Sequence, residues 1–143
     1  MEQKPIKIYV VDDDVFHLNM MKQILVGAGY EDITIFENGV ACLDNLHTKP
    51  DIIFLDYNMD VFTGFEVLRK IKRYNPNIYV VMVSAQEEIK TAVNALKYGA
   101  FDYLEKNTEL DKNLLVTIDK IAEVKKVLNS RKKSIFKTIF KLR

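Results

Sequence analysis

The chain has 143 residues, of which 48% are hydrophobic and 29% are charged, a composition typical of one globular domain. The single cysteine, Cys42, excludes an intrachain disulfide and favours a cytoplasmic location, and no apolar run is long enough for a membrane span or a signal peptide. The net charge of +1 hides an uneven distribution: residues 131–143 have six Lys or Arg and no acid, whereas residues 1–130 have 15 basic and 20 acidic residues. The acidic balance of the larger part does not favour direct nucleic-acid binding.

Short β-branched runs alternate with longer amphipathic stretches along the chain. Runs of four to six residues, bounded by Pro, Gly, Asp or Asn, predict five strands: 6–11, 33–36, 52–55, 78–83 and 101–104. Apolar residues spaced by three or four predict five helices, which contain Leu18 and Leu25, Val40 to His47, Phe65 to Ile71, Ile89 to Leu96, and Leu114 to Ile121. This order predicts a doubly wound α/β fold, a parallel sheet with helices on both faces.

Polar side chains follow several of the predicted strands. Ligands of such sheets bind at the carboxyl ends of the strands. The side chains there are Asp12, Asp13, Asp14, Asp56, Ser84 and Lys106. Carboxylates in one crevice repel one another, and Mg²⁺ relieves that repulsion. With a hydroxyl and an ammonium they are the groups needed to hold a transferring phosphoryl group. Polar residues also end strands for structural reasons, and we expect Asp14 to be the N-cap of the first helix.

The motifs at these strand ends resemble those of receiver domains of bacterial two-component response regulators. Residues 10–14 resemble the acidic pair after the first strand, and 55–59 followed by Gly64 resemble the phosphoacceptor segment. Residues 83–85 resemble the hydroxyl switch position, and 99–106 resemble the strand that leads to the essential lysine. The resemblance covers a body of residues 4–128 and implies a flavodoxin-like, five-stranded sheet in the order 2-1-3-4-5 with five helices.

The resemblance implies that Asp56 accepts a phosphoryl group from the phosphohistidine of a histidine kinase or a histidine phosphotransfer protein. It also implies a Mg²⁺ cofactor, held by Asp12, Asp13, Asp56 and the backbone carbonyl of Asn58. Asp60 stands where the family usually has proline, which implies a less rigid loop near the metal.

Three further residues have roles implied by the resemblance. Ser84 and Lys106 would hold the phosphoryl oxygens, and Tyr103 would be the aromatic side chain whose rotamer follows the state of Ser84. Asn107 stands where the family usually has a proline, often with a cis bond, so the Lys106–Asn107 bond is open to either a cis or a trans form.

Residues 129–143 predict a basic amphipathic helical tail. Heptad spacing runs from Leu114 to Leu142, although Lys125 and Lys132 occupy two of its nine positions. Three interpretations remain open: a partner or self-association, an anionic membrane, or a frayed end. The spacing also allows the fifth helix to continue into the tail, because no Pro or Gly interrupts residues 129–143. We otherwise expect the fifth helix of the body to end near Leu128 and the tail to be at most partly ordered alone. We favour an acidic or membrane partner for residues 131–143 over a tight homodimer.

We therefore expect a stand-alone, chemotaxis-regulator-like receiver that signals by contact with an unknown output protein or passes the phosphoryl group on. We expect it to catalyse only its own phosphoryl transfer and slow autodephosphorylation, and not to be an enzyme otherwise. The alternative is a Mg²⁺-dependent phosphohydrolase with an aspartyl nucleophile, because residues 12–14 resemble the start of the haloacid-dehalogenase type. Phe16 departs from that motif, and no second acidic pair follows Lys106. A third class, a purely structural receiver-like module, is disfavoured by the presence of Asp56 and Lys106.

Overall fold

The computed structural model describes residues 5–85 and 88–141. Five strands form one parallel sheet: β1 Ile8–Val11, β2 Ile33–Phe36, β3 Ile52–Asp56, β4 Tyr79–Ser84 and β5 Asp102–Glu105. The strand order is β2-β1-β3-β4-β5, which confirms the predicted flavodoxin-like topology. Because β1 and β3 are neighbours, the acidic residues that follow them meet at one edge of the sheet.

Five α-helices and one 3₁₀ turn connect and follow the strands: α1 Val15–Gly27, α2 Gly39–Asp44, the 3₁₀ turn Leu46–Thr48, α3 Gly64–Tyr74, α4 Ile89–Lys97 and α5 Leu110–Lys141. Asp14 is the N-cap of α1, as predicted, and its carboxylate accepts hydrogen bonds from two backbone N–H groups. α2 ends at Asp44, earlier than the spacing predicts. Asn45 leaves the helical conformation there, and its amide donates to the Ala41 carbonyl at 2.7 Å.

The core has two halves, one on each face of the sheet. On one face α1 and α5 pack against β1, β3 and β4, with Leu18, Phe54 and Ile118 among the buried residues. On the other face α2 and α3 pack against the same strands, and Cys42 of α2 is a fully buried core residue. The three central strands are therefore covered on both faces, which explains their almost wholly apolar sequences.

α4 is attached to the sheet through small side chains. Ala95 is its one buried residue, whereas Ile89, Val93 and Leu96 are exposed by 84%, 44% and 47%. The apolar residues whose spacing predicts this helix thus point largely to solvent, and α4 presents an apolar outer surface beside β5.

α5 continues without interruption to Lys141 and has 32 residues. The expected end near Leu128 is therefore wrong, and the continuation into the tail that the heptad spacing allows is found. The helix is about 48 Å long at 1.5 Å per residue, so its last third extends beyond the sheet. Leu142 and Arg143, which belong to the predicted tail, lie outside the described residues. Among the described helices, none combines the length and the apolar character that a membrane crossing requires.

Candidate functional site

The connection from β3 to α3 requires glycine at position 64. The Gly64 N–H donates to the Tyr57 carbonyl at 2.9 Å. A Cβ on Gly64 would lie 2.2 Å from the Asp56 carbonyl oxygen and 2.7 Å from the Tyr57 Cα. No side chain fits there, so glycine lets the start of α3 pack directly on the segment that carries Asp56.

Three carboxylates meet at the carboxyl ends of β1 and β3. Each of Asp12, Asp13 and Asp56 offers one oxygen, and these oxygens all lie within 4.8 Å of one another. Asp12 and Asp56 are almost fully buried, at 1% and 4% exposure, whereas Asp13 is exposed. The backbone N–H of Asp14 donates to Asp12 Oδ1 at 2.9 Å and fixes that carboxylate. The predicted acidic cluster is therefore assembled in the fold.

Lys106 joins two of these carboxylates. Its Nζ lies 2.9 Å from Asp12 Oδ2 and 3.1 Å from Asp56 Oδ1. The backbone N–H of Lys106 donates to the Ser84 carbonyl at 2.8 Å, which anchors the end of β5 to the end of β4. The ammonium thus lies between Asp12, which follows β1, and Asp56 of β3, where it partly offsets their repulsion.

Burial and crowding shift the protonation of this group of residues. The pKa of Asp56 is raised to about 6, first by burial and second by the nearby Asp12 carboxylate. Lys106 and the Asn58 backbone N–H act in the opposite direction but do not cancel the increase. Burial by itself would lower the pKa of Lys106, yet Asp12 and Asp56 outweigh it, so that pKa is raised. Binding of a further positive charge at the site is therefore favoured.

The donor set fits a hard divalent cation. Asp12 Oδ2 is buried and makes no hydrogen bond of acceptable geometry within the described residues, although the Lys106 ammonium is in ion-pair contact with it. Carboxylate oxygens of this kind are the ligands that Mg²⁺ prefers, usually one or two of them together with water and a phosphate oxygen. A cation at this position would give Asp12 Oδ2 a further partner beside the Lys106 ammonium and would reduce the repulsion between the carboxylates.

Ser84 and Tyr103 are in direct contact. Ser84 ends β4 and is fully buried, and it shares a side-chain hydrogen bond with the half-buried Tyr103 of β5. Burial raises the pKa of the Tyr103 hydroxyl, and the hydrogen bond with Ser84 opposes that shift. A movement of the Ser84 hydroxyl would therefore change the hydrogen bond of Tyr103, as the resemblance implies for a switch pair.

The two positions that depart from the family have different outcomes. Within the described ranges no peptide bond is cis, so Lys106–Asn107 is trans. Asn107 instead stabilises the turn into α5, because its side chain accepts a hydrogen bond from the Glu109 N–H at 2.9 Å. After Asp60, the chain passes through Val61, which has a φ of 69° and is 88% exposed. A left-handed β-branched residue is uncommon, and nothing in the sequence around Val61 signals it. The mobility of this loop remains a prediction.

Comparisons with known proteins identify the family of this chain. The response regulator receiver domain family matches residues 8–119. The transcriptional regulatory protein ZraR of Klebsiella oxytoca is 36% identical over 126 residues, which are 87% of this chain and 28% of that protein. The DNA-binding transcriptional regulator NtrC of Escherichia coli K12 is 37% identical over 105 residues, 73% of this chain and 22% of that protein. The chain thus spans about a quarter of the length of these curated relatives.

Solved structures show the same likeness. A response regulator receiver domain protein from Clostridium thermocellum has a TM-score of 0.79 and 28% identity, and the match covers 86% of this chain and 98% of that chain. NtrX from Brucella abortus, in a complex with ATP, has a TM-score of 0.80 and 28% identity over 89% of this chain and 29% of that chain. With the family match across most of the folded body, the chain belongs to the receiver domains of two-component response regulators, which are phosphorylated on an aspartate.

Proposed function

We propose that Asp56 is the phosphoacceptor and that the donor is the phosphohistidine of a histidine kinase or a histidine phosphotransfer protein. The observation that carries this proposal is the position of the Asp56 carboxylate at the end of the central strand, 3.1 Å from the Lys106 ammonium and beside Asp12 and Asp13. An Asp56 oxygen attacks the phosphorus, the P–N bond breaks, and the imidazole leaves. Lys106 stabilises the charge on the phosphoryl oxygens during this transfer.

Receiver domains bind Mg²⁺ at an acidic pocket, and the pocket of this chain consists of Asp12, Asp13 and Asp56. We infer that these carboxylates hold Mg²⁺ together with the backbone carbonyl of Asn58. The ion would supply positive charge to the phosphoryl oxygens that the single ammonium of Lys106 cannot neutralise alone. Asp12 is held for this role by its hydrogen bond from the Asp14 backbone.

We infer that the signal leaves the domain through protein contacts. Ser84 would turn towards the new phosphoryl oxygens, and its hydrogen-bond partner Tyr103 would follow on β5. The neighbouring α4 exposes Ile89, Val93 and Leu96, an apolar surface suited to an output protein. Direct nucleic-acid binding is not part of this proposal, and the stand-alone organisation and cytoplasmic location remain predictions.

The test is phosphorylation with a small-molecule donor. Acetyl phosphate with Mg²⁺ should add one phosphoryl mass to the intact protein, and a chelator should prevent it. Asp56→Asn should abolish the added mass, whereas Asp44→Asn, a change of an exposed aspartate at the end of α2, should not. A label of the same stoichiometry on Asp56→Asn would refute the assignment. Turnover of a generic phosphomonoester by the wild-type protein would instead support the phosphohydrolase alternative.

A further inference from the structure

α5 carries one apolar stripe that the receiver body covers only in part. Within the body the stripe is buried against the sheet at Leu114, Ile118 and Ile121. At the same helical spacing it continues past the body, where its members are 45%, 60% and 57% exposed: Leu128, Ile135 and Ile139. The helix face that packs on the sheet is thus the face that remains uncovered beyond it.

The stripe leaves the body at the amino-terminal edge of the sheet, the end opposite Asp56. There α5 and the edge border a cavity of about 560 Å³, whose lining includes Pro5, Ile6 and Ile52. A second cavity of about 360 Å³ also reaches Lys125 and Asn129 and is lined by Tyr79 and Leu128. We call the angle between the sheet edge and residues 129–141 of α5 the notch.

An ion pair fixes the geometry of the notch. Lys125 Nζ lies 3.0 Å from Asp51 Oδ1, across 74 residues of sequence, and ties the helix to the start of β3. The same Asp51 accepts a hydrogen bond from the Lys7 backbone N–H at 2.9 Å through its other oxygen. The helix therefore leaves the body in a defined direction, with its apolar stripe on the side of the body.

The notch is strongly basic. Among the described residues that line the two cavities, Asp51 is the one acid, and five are lysines: Lys72, Lys125, Lys126, Lys132 and Lys133. Residues 129–141 add Arg131, Lys137 and Lys141 and contain no acid. An occupant that covers the stripe must therefore combine apolar side chains with negative charge.

The position of the body limits what this occupant can be. A flat membrane that touched Ile135 and Ile139 would collide with the receiver body, because the body lies on the same side of α5. The projecting helix is roughly 20 Å long, and its insertion along the membrane normal would bury Lys132 and Lys137 in the bilayer. If a second copy packed in parallel on the stripe, the two receiver bodies would face each other across it. The five basic residues in the described range 131–141 of one tail would also lie close to those of the other and repel them. A slender polypeptide segment meets neither obstacle.

We propose that the notch binds an acidic amphipathic helix of a partner protein. Its apolar side covers Ile135 and Ile139 and enters the 560 Å³ cavity beside Ile6, and its acidic flanks face the surrounding lysines. The site is distant from Asp56, so it provides attachment to a partner that does not depend on access to the phosphorylation site.

The test uses two synthetic 18-residue peptides of identical composition. One places leucines at helical positions i, i+3, i+4 and i+7 and glutamates elsewhere, and the other shuffles the order so that no apolar face forms. Binding is measured by fluorescence anisotropy with the full 143-residue chain at 0.15 M salt. The first peptide should bind and the shuffled peptide should bind at least tenfold more weakly. The double variant Ile135→Ser, Ile139→Ser should also weaken binding at least about tenfold, since two buried side chains are lost.

Val127→Ser is the matched control, because Val127 is 55% exposed on the same helix but lies away from the stripe. It should change the affinity less than twofold. Backbone amide NMR shifts at Ile6 and Ile52 should accompany peptide binding, and Asp56 phosphorylation should be equal in all variants, which verifies their fold.

Four outcomes would overturn the proposal. Equal binding of the shuffled peptide would show plain charge attraction, and shifts confined to residues 129–141 would show that the sheet edge takes no part. Binding to phosphatidylglycerol vesicles that needs Ile135 and Ile139, without peptide binding, would identify a membrane surface. A dimer in analytical ultracentrifugation that Ile135→Ser, Ile139→Ser dissolves would identify a second copy as the occupant.

Discussion

Replacing the proposed phosphoacceptor by asparagine should stabilise the metal-free protein. Asp56 is 4% exposed, and its carboxylate lies beside Asp12 in the acidic cluster. Burial and the Asp12 charge raise its pKa from 3.8 to about 6 in spite of the ion pair with Lys106. Because that value already includes Lys106, the environment as a whole disfavours the ionised form. Asparagine keeps the shape and an acceptor oxygen but removes the charge.

The magnitude follows from linkage between protonation and folding. The folded-state pKa lies above the unfolded-state value, so the native state holds the proton more tightly. The stability contribution is then fully present below pH 4 and is lost as the pH rises towards 6. A difference of about two pKa units corresponds to about 3 kcal/mol at neutral pH. For a chain of this length that equals a shift of roughly 10 °C in melting temperature.

The assay is urea unfolding of wild type and Asp56→Asn in chelator at several values between pH 4 and pH 7.5. The two proteins should differ little at pH 4, and the variant should gain up to about 3 kcal/mol over wild type by pH 7. Saturating Mg²⁺ should remove most of that advantage, since 100 times the dissociation constant stabilises wild type by about 2.7 kcal/mol. A difference that is independent of pH, or a variant that is less stable at pH 7, would refute the account of a destabilising buried charge.

Two further changes test other parts of the site. Ser84→Ala should still accept phosphoryl groups, though more slowly. A phosphoryl mimic should no longer shift the NMR resonances of Tyr103, because the Ser84 hydroxyl that connects the phosphoryl site with Tyr103 is gone. Equal shifts in wild type and variant would refute the coupling. Gly64→Ala should destabilise by about 3 kcal/mol or more and impair phosphorylation, since its Cβ would meet the Asp56 carbonyl at 2.2 Å. The control Gly27→Ala, in open space on α1, should instead be stabilising by up to about 1 kcal/mol in chemical unfolding, and a Gly64→Ala protein as stable as wild type would contradict the packing argument.

The sheet and the position of the site were predictable because each follows from a local pattern. Apolar runs that alternate with amphipathic stretches permit few other topologies, and a parallel sheet brings the ends of neighbouring strands together. Asp12, Asp56 and Lys106 therefore meet although 44 and 50 residues separate them along the chain. Their order of contact, with Lys106 between the two carboxylates, is a property of the folded geometry and has no signal in the sequence.

The orientation of α4 and the contact of α5 with the start of β3 were not predictable in the same way. Periodicity tells which residues share a helix face, but it does not tell what covers that face. On α4 the small Ala95 contacts the sheet, and the larger Ile89, Val93 and Leu96 remain outside. Lys125 occupies a core-type position of the heptad pattern, and its partner Asp51 lies 74 residues away. No local pattern indicates that pairing.

The electrostatics of the site connect stability with signalling. The acidic cluster holds three carboxylates against one ammonium, and burial together with the Asp12 charge raises the pKa of Asp56 in spite of Lys106. A divalent cation corrects the balance, but a phosphoryl group on Asp56 then adds new negative oxygens at the same place. The Lys106 ammonium lies 3.1 Å from Asp56 Oδ1, and the Ser84 hydroxyl at the end of β4 shares a hydrogen bond with Tyr103. If Ser84 turns to the new charge, as we propose, it must give up or change the hydrogen bond that it shares with Tyr103. Phosphorylation at Asp56 would then alter the surface of β5 beside the exposed α4.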